Sequence, residues 1–288
     1  MFIDIFLITI LIIWLIAASI SDLKTREVPN WLSYSLITIA IISRLLNAIF
    51  YQEFSPLIYS MVGLVIFLVI SLLLYYTKQW GGGDAKLLMG IGATIPLYPT
   101  TLLNYFNPNL NVPFLIILFL NILIIGAIYG LLWTLILSIK NFSKVKKEIK
   151  KVKFPLIYKT IYLITLLFII LSFVLLKQTF PMLIMLILIL ILPFLFLIIK
   201  ATESVCMFKT IPIEKLTEGD WITKSITINN KEIYSSSSPG IEKHQIEELL
   251  KHKSKIKEVT IKEGIPFVPS FLFGVIITLI YGNLIYFI

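Results

Sequence analysis

Cysteine and histidine are nearly missing: the 288-residue chain holds one cysteine, Cys206, and two histidines, His244 and His252. A single thiol excludes a disulfide framework and any cysteine-rich metal site. The two histidines fit neither an H-E-x-x-H arrangement nor one helix face, which argues against a zinc metalloprotease. No G-x-S-x-G elbow occurs, and no histidine lies near a serine of an apolar run, so a serine nucleophile has no base. Charge is sparse, at 14% of residues, and aspartate is limited to Asp4, Asp22, Asp84 and Asp220.

Apolar residues fill the space left by these absences. They make up 58% of the chain, and such a composition describes a polytopic membrane protein. Eight apolar runs stand out, at 2–20, 31–50, 57–76, 84–98, 113–138, 157–176, 180–199 and 266–287. The first has no basic segment before it and no small-residue cleavage site after it, so it reads as a retained span.

Lysine and arginine set the orientation. Lys24 and Arg26 follow span 1, Lys78 and Lys86 bracket the end of span 3, and seven lysines between 140 and 153 follow span 5. The alternate loops contain only Lys177. By the positive-inside rule the N-terminus lies outside and the lysine-rich loops face the cytoplasm of a cell (plasma) membrane. The net charge of +9 reflects this basic inner face and membrane lipid rather than nucleic acid.

Three regions follow: a membrane domain over 1–199, a small α+β cytoplasmic domain over 200–264, and a final span over 265–288. The middle region shows strand-like alternation in "DWITKSITI", a turn at Pro239-Gly240, a helical period in "IEKHQIEELLKHK" and a strand "EVTIK". Its "SSSS" run, Ser235 to Ser238, reads as a flexible loop.

Chemistry therefore falls to carboxylates. Asp4 lies at the outer end of span 1, and Asp220 sits in "TEGDWI", where a turn or strand-edge role suffices. Asp22 closes span 1 and Asp84 opens span 4, both at the cytoplasmic boundary. Two carboxylates sharing a site do not both ionise, so one keeps a proton while the other activates water, as in an aspartic protease.

Gly81, Gly82 and Gly83 precede Asp84 in "WGGGDAKLL". Either they are a tight turn, or they admit a substrate backbone and a positive φ beside the acid. Arg26, Arg44, Lys86 and Glu27 are auxiliary candidates, and the last three carry two readings each. Arg44, inside span 2, pairs with a carboxylate or substrate, or snorkels. Lys86 tunes the dyad or points to headgroups. Glu27, next to Arg26 in the first cytoplasmic loop, meets a basic substrate or is simply solvated. Neither a metal nor another cofactor is expected.

"GGGDAKLL" resembles the G-x-G-D motif of the type IV prepilin peptidases, and "SDLKTREVPNW", Ser21 to Trp31, is similar to their first catalytic motif. "EGIPFVPSFLFG" and "EGDWI" resemble the archaeal branch, which includes preflagellin (archaellin) peptidases. The resemblance implies a membrane aspartic endopeptidase with Asp22 and Asp84 as its catalytic pair and Gly81 and Gly83 as motif glycines. It also implies a six-helix core and substrates that are pilin-like or archaellin precursors with a short basic leader.

The chain departs from the family in two ways. Paired C-x-x-C motifs of the methylating bacterial members are missing, so methyltransferase activity is not expected, and spans 6 and 7 form an extra hairpin. Presenilin-type proteases share G-x-G-D, yet Ser21 stands where they have tyrosine and no P-A-L occurs. A transporter or scaffold binding a cation through two acids is the non-enzyme alternative; transporters usually place such acids near the midplane.

Overall fold

A computed structural model describes residues 2–151, 156–176, 179–228, 231–253 and 256–287. Lys153 and Lys177, used above for orientation, lie outside them. The chain is mostly helical and forms two compact units, one of residues 1–130 with 210–288 and one of residues 131–209.

The first unit begins with α1 (Phe2–Thr25), α2 (Asn30–Tyr51), α3 (Ser55–Tyr76) and α4 (Gly82–Thr94), followed by α5 (Phe114–Lys140), which continues into the second unit. The second unit adds α6 (Phe142–Ile149), α7 (Leu156–Leu176) and α8 (Thr179–Cys206), with α6 and α7 each packed on α8. The expected hairpin at 157–176 and 180–199 falls on α7 and α8. Because α8 runs on through Cys206, sheet structure starts only at β1 (Phe208–Pro212).

Among the described residues four helices are long and apolar enough to cross a membrane: α1, α2, α3 and α5. The runs expected as spans 4 and 8 form shorter helices, α4 with 13 residues and α10 (Val268–Tyr281) with 14. At 1.5 Å per residue each is about 20 Å long, against a hydrocarbon core of about 30 Å. Pro96 disfavours helical backbone at Ile95 and stops α4, while α10 stops at Gly282, whose φ is 72°.

These two helices are the centre of the unit. α4 packs against α3, α2 and α1, and α10 against α1. Leu87, Leu88 and Ile91 of α4 share one buried cluster with Phe271 and Val275 of α10 and Leu11 and Leu15 of α1. Most apolar residues of α4 and α10 are buried in protein, and burial in protein favours the same side chains as lipid does, so hydropathy does not separate the two.

Small residues let α4 approach α3. A Cβ on Gly92 would stand 2.5 Å from the Gly63 carbonyl oxygen, which is backbone and cannot swing aside. Gly92→Ala is therefore expected to destabilise the protein by about 3 kcal/mol, the upper end of overpacking costs, read as a lowered melting temperature in detergent. An unchanged melting temperature would show that the contact is loose.

The α+β region contains β1, β2 (Trp221–Ile222), β3 (Ile226–Ile228), β4 (Lys231–Tyr234), α9 (Lys243–Lys251) and β5 (Glu258–Lys262). β1-β5-β2 form one sheet, with β2 antiparallel to β5, and β3 pairs antiparallel with β4 around a register shift at Ile226/Thr227. Isoleucines of these strands pack with Leu249 of α9 into a second core. The serine run is a hydrogen-bonded turn rather than a loose loop: Ser238 N–H donates to the Ser235 carbonyl, and Ser236 N–H to Ser225 Oγ at 2.9 Å.

Candidate active site

Asp22 occupies the last turn of α1 and is only 6% exposed. The turn after it is braced locally: Thr25 Oγ1 donates to the Ser21 carbonyl at 3.0 Å and Ser21 Oγ to the Glu27 carbonyl at 2.9 Å. Arg26 closes the helix in left-handed backbone, φ 62°, its N–H donating to the Asp22 carbonyl. One Asp22 oxygen, Oδ2, accepts the Val268 N–H at 2.9 Å. Val268 is the first residue of α10, so this carboxylate sits at the positive end of a helix from the far end of the chain.

Asp84 is set differently. Gly81 precedes α4, and Asp84, in the first turn, accepts the Gly81 N–H at 3.3 Å. Ser71 Oγ of α3 holds this turn by donating to the Ala85 carbonyl at 2.8 Å. Trp80, buried just before the glycines, stacks edge-on with Phe271 at 5.1 Å between ring centres and lies 5.5 Å from Phe267. The loop before Asp84 and the segment that bonds Asp22 are thus packed together.

The glycines do not use positive φ. Gly81 is extended at φ −70°, and Gly82 and Gly83 are already helical. At Gly83 a Cβ would lie 3.1 Å from Val28 Cβ and 3.4 Å from Val28 N, whereas at Gly81 and Gly82 it would make ordinary contact. Gly83 is bare because the α1–α2 loop crosses it.

The four auxiliary candidates separate. Arg26 stays beside Asp22, and its charge acts on that carboxylate. Lys86 Nζ donates to Asn30 Oδ1 at 2.8 Å and stands 5.6 Å above the Tyr34 ring, tying α4 to the start of α2. Arg44 pairs with Asp4 at 2.8 Å. Asp4 is eighteen residues before Asp22 on α1, a separation of about 27 Å along the axis. Glu27 is exposed, close enough to Asp220 for its charge to be felt there.

Asp220 closes a turn, accepting the Thr217 N–H at 2.9 Å. Burial pushes its carboxyl above the usual range against that hydrogen bond, and the charges of Glu27 and Glu263 push the same way. Among the described residues no group of three or more His, Cys, Asp or Glu converges as metal ligands.

Phe267 and Val268 were not singled out from the sequence, because a backbone N–H leaves no mark on residue type. The available signal was the pair Pro266 and Pro269 around them, since proline in the first turn marks a helix start.

Fold and site together define a helical membrane protein with one buried and one half-buried carboxylate at neighbouring helix ends. Residues 9–131, which include both acids, match the model of the Type IV leader peptidase family, bearing out the resemblance carried by the two motifs. The chain is 30% identical over 143 residues to the preflagellin peptidase of Methanococcus voltae, covering 48% of this chain and 59% of the relative. It is 31% identical over 111 residues to the preflagellin peptidase of Methanococcus maripaludis, covering 37% and 48%. With that of Methanocaldococcus jannaschii it shares 28% over 140 residues, covering 48% and 59%. The chain thus spans about half to three-fifths of the length of these relatives. No solved structure matches it.

Proposed function

We propose that this chain is an aspartic membrane endopeptidase that removes the short basic leader from type IV pilin-like precursors, preflagellin or prepilin, at the cytoplasmic membrane face. The observation that carries the reading is that two of only four aspartates, far apart in sequence, stand on segments packed together: Trp80, just before Asp84, lies against Phe267 and Phe271, beside the Val268 that bonds Asp22, and both acids fall inside the segment matching the leader peptidases. Residues 1–199 form the membrane domain in this reading, 200–264 the cytoplasmic domain and 265–288 the closing helix. In this reading the basic residues after α1, after α3 and after α5 favour an N-terminus outside.

The hydrogen bonds suggest how the work divides. Asp22, which faces the N-terminus of α10 and the Arg26 cation, is the better placed to hold negative charge. Asp84, with one long bond from Gly81, carries the shared proton. Asp22 takes a proton from water as the oxygen attacks the scissile carbonyl, and Asp84 donates to the carbonyl oxygen, giving a neutral diol. Proton transfer to the nitrogen then lets the C–N bond break, leaving a carboxyl on the leader and a free amine on the mature chain.

Glu27 supplies an exposed charge for the leader's lysines or arginines beside this pair. The test is cleavage of a leader-bearing precursor by membranes containing the full chain, with the products weighed by mass spectrometry. Glu27→Gln is expected to raise KM about two- to fivefold at low salt, less at high salt, with kcat unchanged. Membranes with abundant folded protein that release no leader from preflagellin or prepilin would refute the assignment.

A further inference from the structure

A helix that ends in left-handed backbone usually places glycine there, because a side chain makes that conformation costly. Among the described residues three non-glycine residues have positive φ: Arg26 at 62°, Gln52 at 56° and Lys78 at 58°. Gln52, closing α2, uses its side chain locally, donating to the Ile49 carbonyl at 3.0 Å. The other two close α1, which carries Asp22, and α3, which leads to the Asp84-bearing α4, and both reach away. Arg26 Nη1 donates to the Gly264 carbonyl at 3.1 Å, and Lys78 Nζ to the Ser236 carbonyl at 2.8 Å.

Both acceptors belong to the α+β region, where they are joined. Ser236 N–H is held by Ser225 Oγ at 2.9 Å. Thr223, two residues before Ser225, donates its N–H to the Thr260 carbonyl of β5 at 3.0 Å. Four residues further on, Gly264 leads to Val268, whose N–H grips Asp22. The α+β region therefore touches the loop after Asp22 and the loop before Asp84, and leads directly into the start of α10, which bonds Asp22.

We propose that the α+β region is a strap that sets the spacing of the two carboxylates, with Arg26 and Lys78 as the positioning residues that fasten it. The inference rests on the reading of Asp22 and Asp84 as one acid–base pair. Lys78 is the cleaner probe, since Arg26 also acts on Asp22 by charge. Lys78→Ala lowers kcat about tenfold or more while KM moves less than twofold, because a catalytic group displaced by a fraction of an ångström loses rate rather than affinity. Lys78→Arg, which also donates to a carbonyl, restores most of kcat.

A second measurement is independent of turnover. Nitroxide labels at positions 24 and 79 of the full chain, with Cys206 replaced by serine, report the separation of the two loops by electron–electron resonance. The strap predicts a narrow distance distribution that broadens in Lys78→Ala and Arg26→Ala. A distribution unchanged in both variants overturns the proposal, and so does a broadened one with unchanged kcat. Should the unsubstituted protein cleave no precursor, the peptidase reading fails, while the label distances still decide the strap by the same criterion.

Discussion

Asp22→Asn and Asp84→Asn should each reduce cleavage of a pilin-like precursor by on the order of a thousandfold or more, with little change in the amount of protein in the membrane. Asparagine keeps the shape of the side chain and can still accept the Val268 or Gly81 N–H. It can neither take a proton from water nor share one with its partner, so the loss falls on the chemical step, where positioned acids and bases contribute about 10²–10⁴-fold. Because the two acids act as a unit, the double variant should be scarcely slower than either single one. Single-turnover rates with precursor in excess of KM measure this. Activity within tenfold of the unsubstituted protein in either variant would remove the aspartic mechanism.

Gly83→Ala is expected to cut kcat by up to about a hundredfold while the melting temperature stays within a few degrees. Two local effects oppose each other in the stability. Alanine gains up to about 1 kcal/mol over glycine in helical backbone, and the new methyl meets Val28 Cβ at 3.1 Å. Val28 precedes Pro29 in the loop between α1 and α2, so relief comes by moving that loop or the first turn of α4. Either movement separates Asp22 from Asp84, and about 1 Å of misplacement costs on the order of a hundredfold. Gly81→Ala serves as the comparison, since its Cβ would be 3.5 Å from Asp84 Oδ2 with no backbone in the way. Turnover near that of the unsubstituted protein in Gly83→Ala would limit the glycines to starting the helix.

Scarcity made the carboxylate pair legible. In a chain with four aspartates and no catalytic cysteine or histidine arrangement, Asp22 and Asp84 stood out by elimination and by their place at the ends of apolar runs. The strands β2, β3 and β5 and helix α9 were readable from alternation and period, whereas β1 and β4 were missed. β1 directly follows α8, and β4 reads "KEIY", two charged residues then two apolar ones, which shows no alternation.

The lengths of α4 and α10 were masked for a different reason: burial in protein selects the same side chains as burial in lipid, so the apolar runs read as spans even though Pro96 and Gly282 mark where the helices stop. The glycine run misled as well. One of its two readings allowed left-handed backbone at Gly81 to Gly83, but such backbone falls at Lys78, and at Arg26 in the matching loop, where residue type gives no hint of it.

The bond from Val268 to Asp22 spans almost the whole chain, and this has a consequence for biosynthesis. Asp22 leaves the ribosome early and Asp84 soon after, yet the donor that holds Asp22 is made some 246 residues later. Until residues 267 and 268 have emerged and α10 has slid in against α1, the first carboxylate lacks its fixed partner. On the proposed peptidase reading, Asp22 stays without the Val268 N–H for as long as α10 is unmade, and the acid pair takes its final arrangement only as α10 docks on α1.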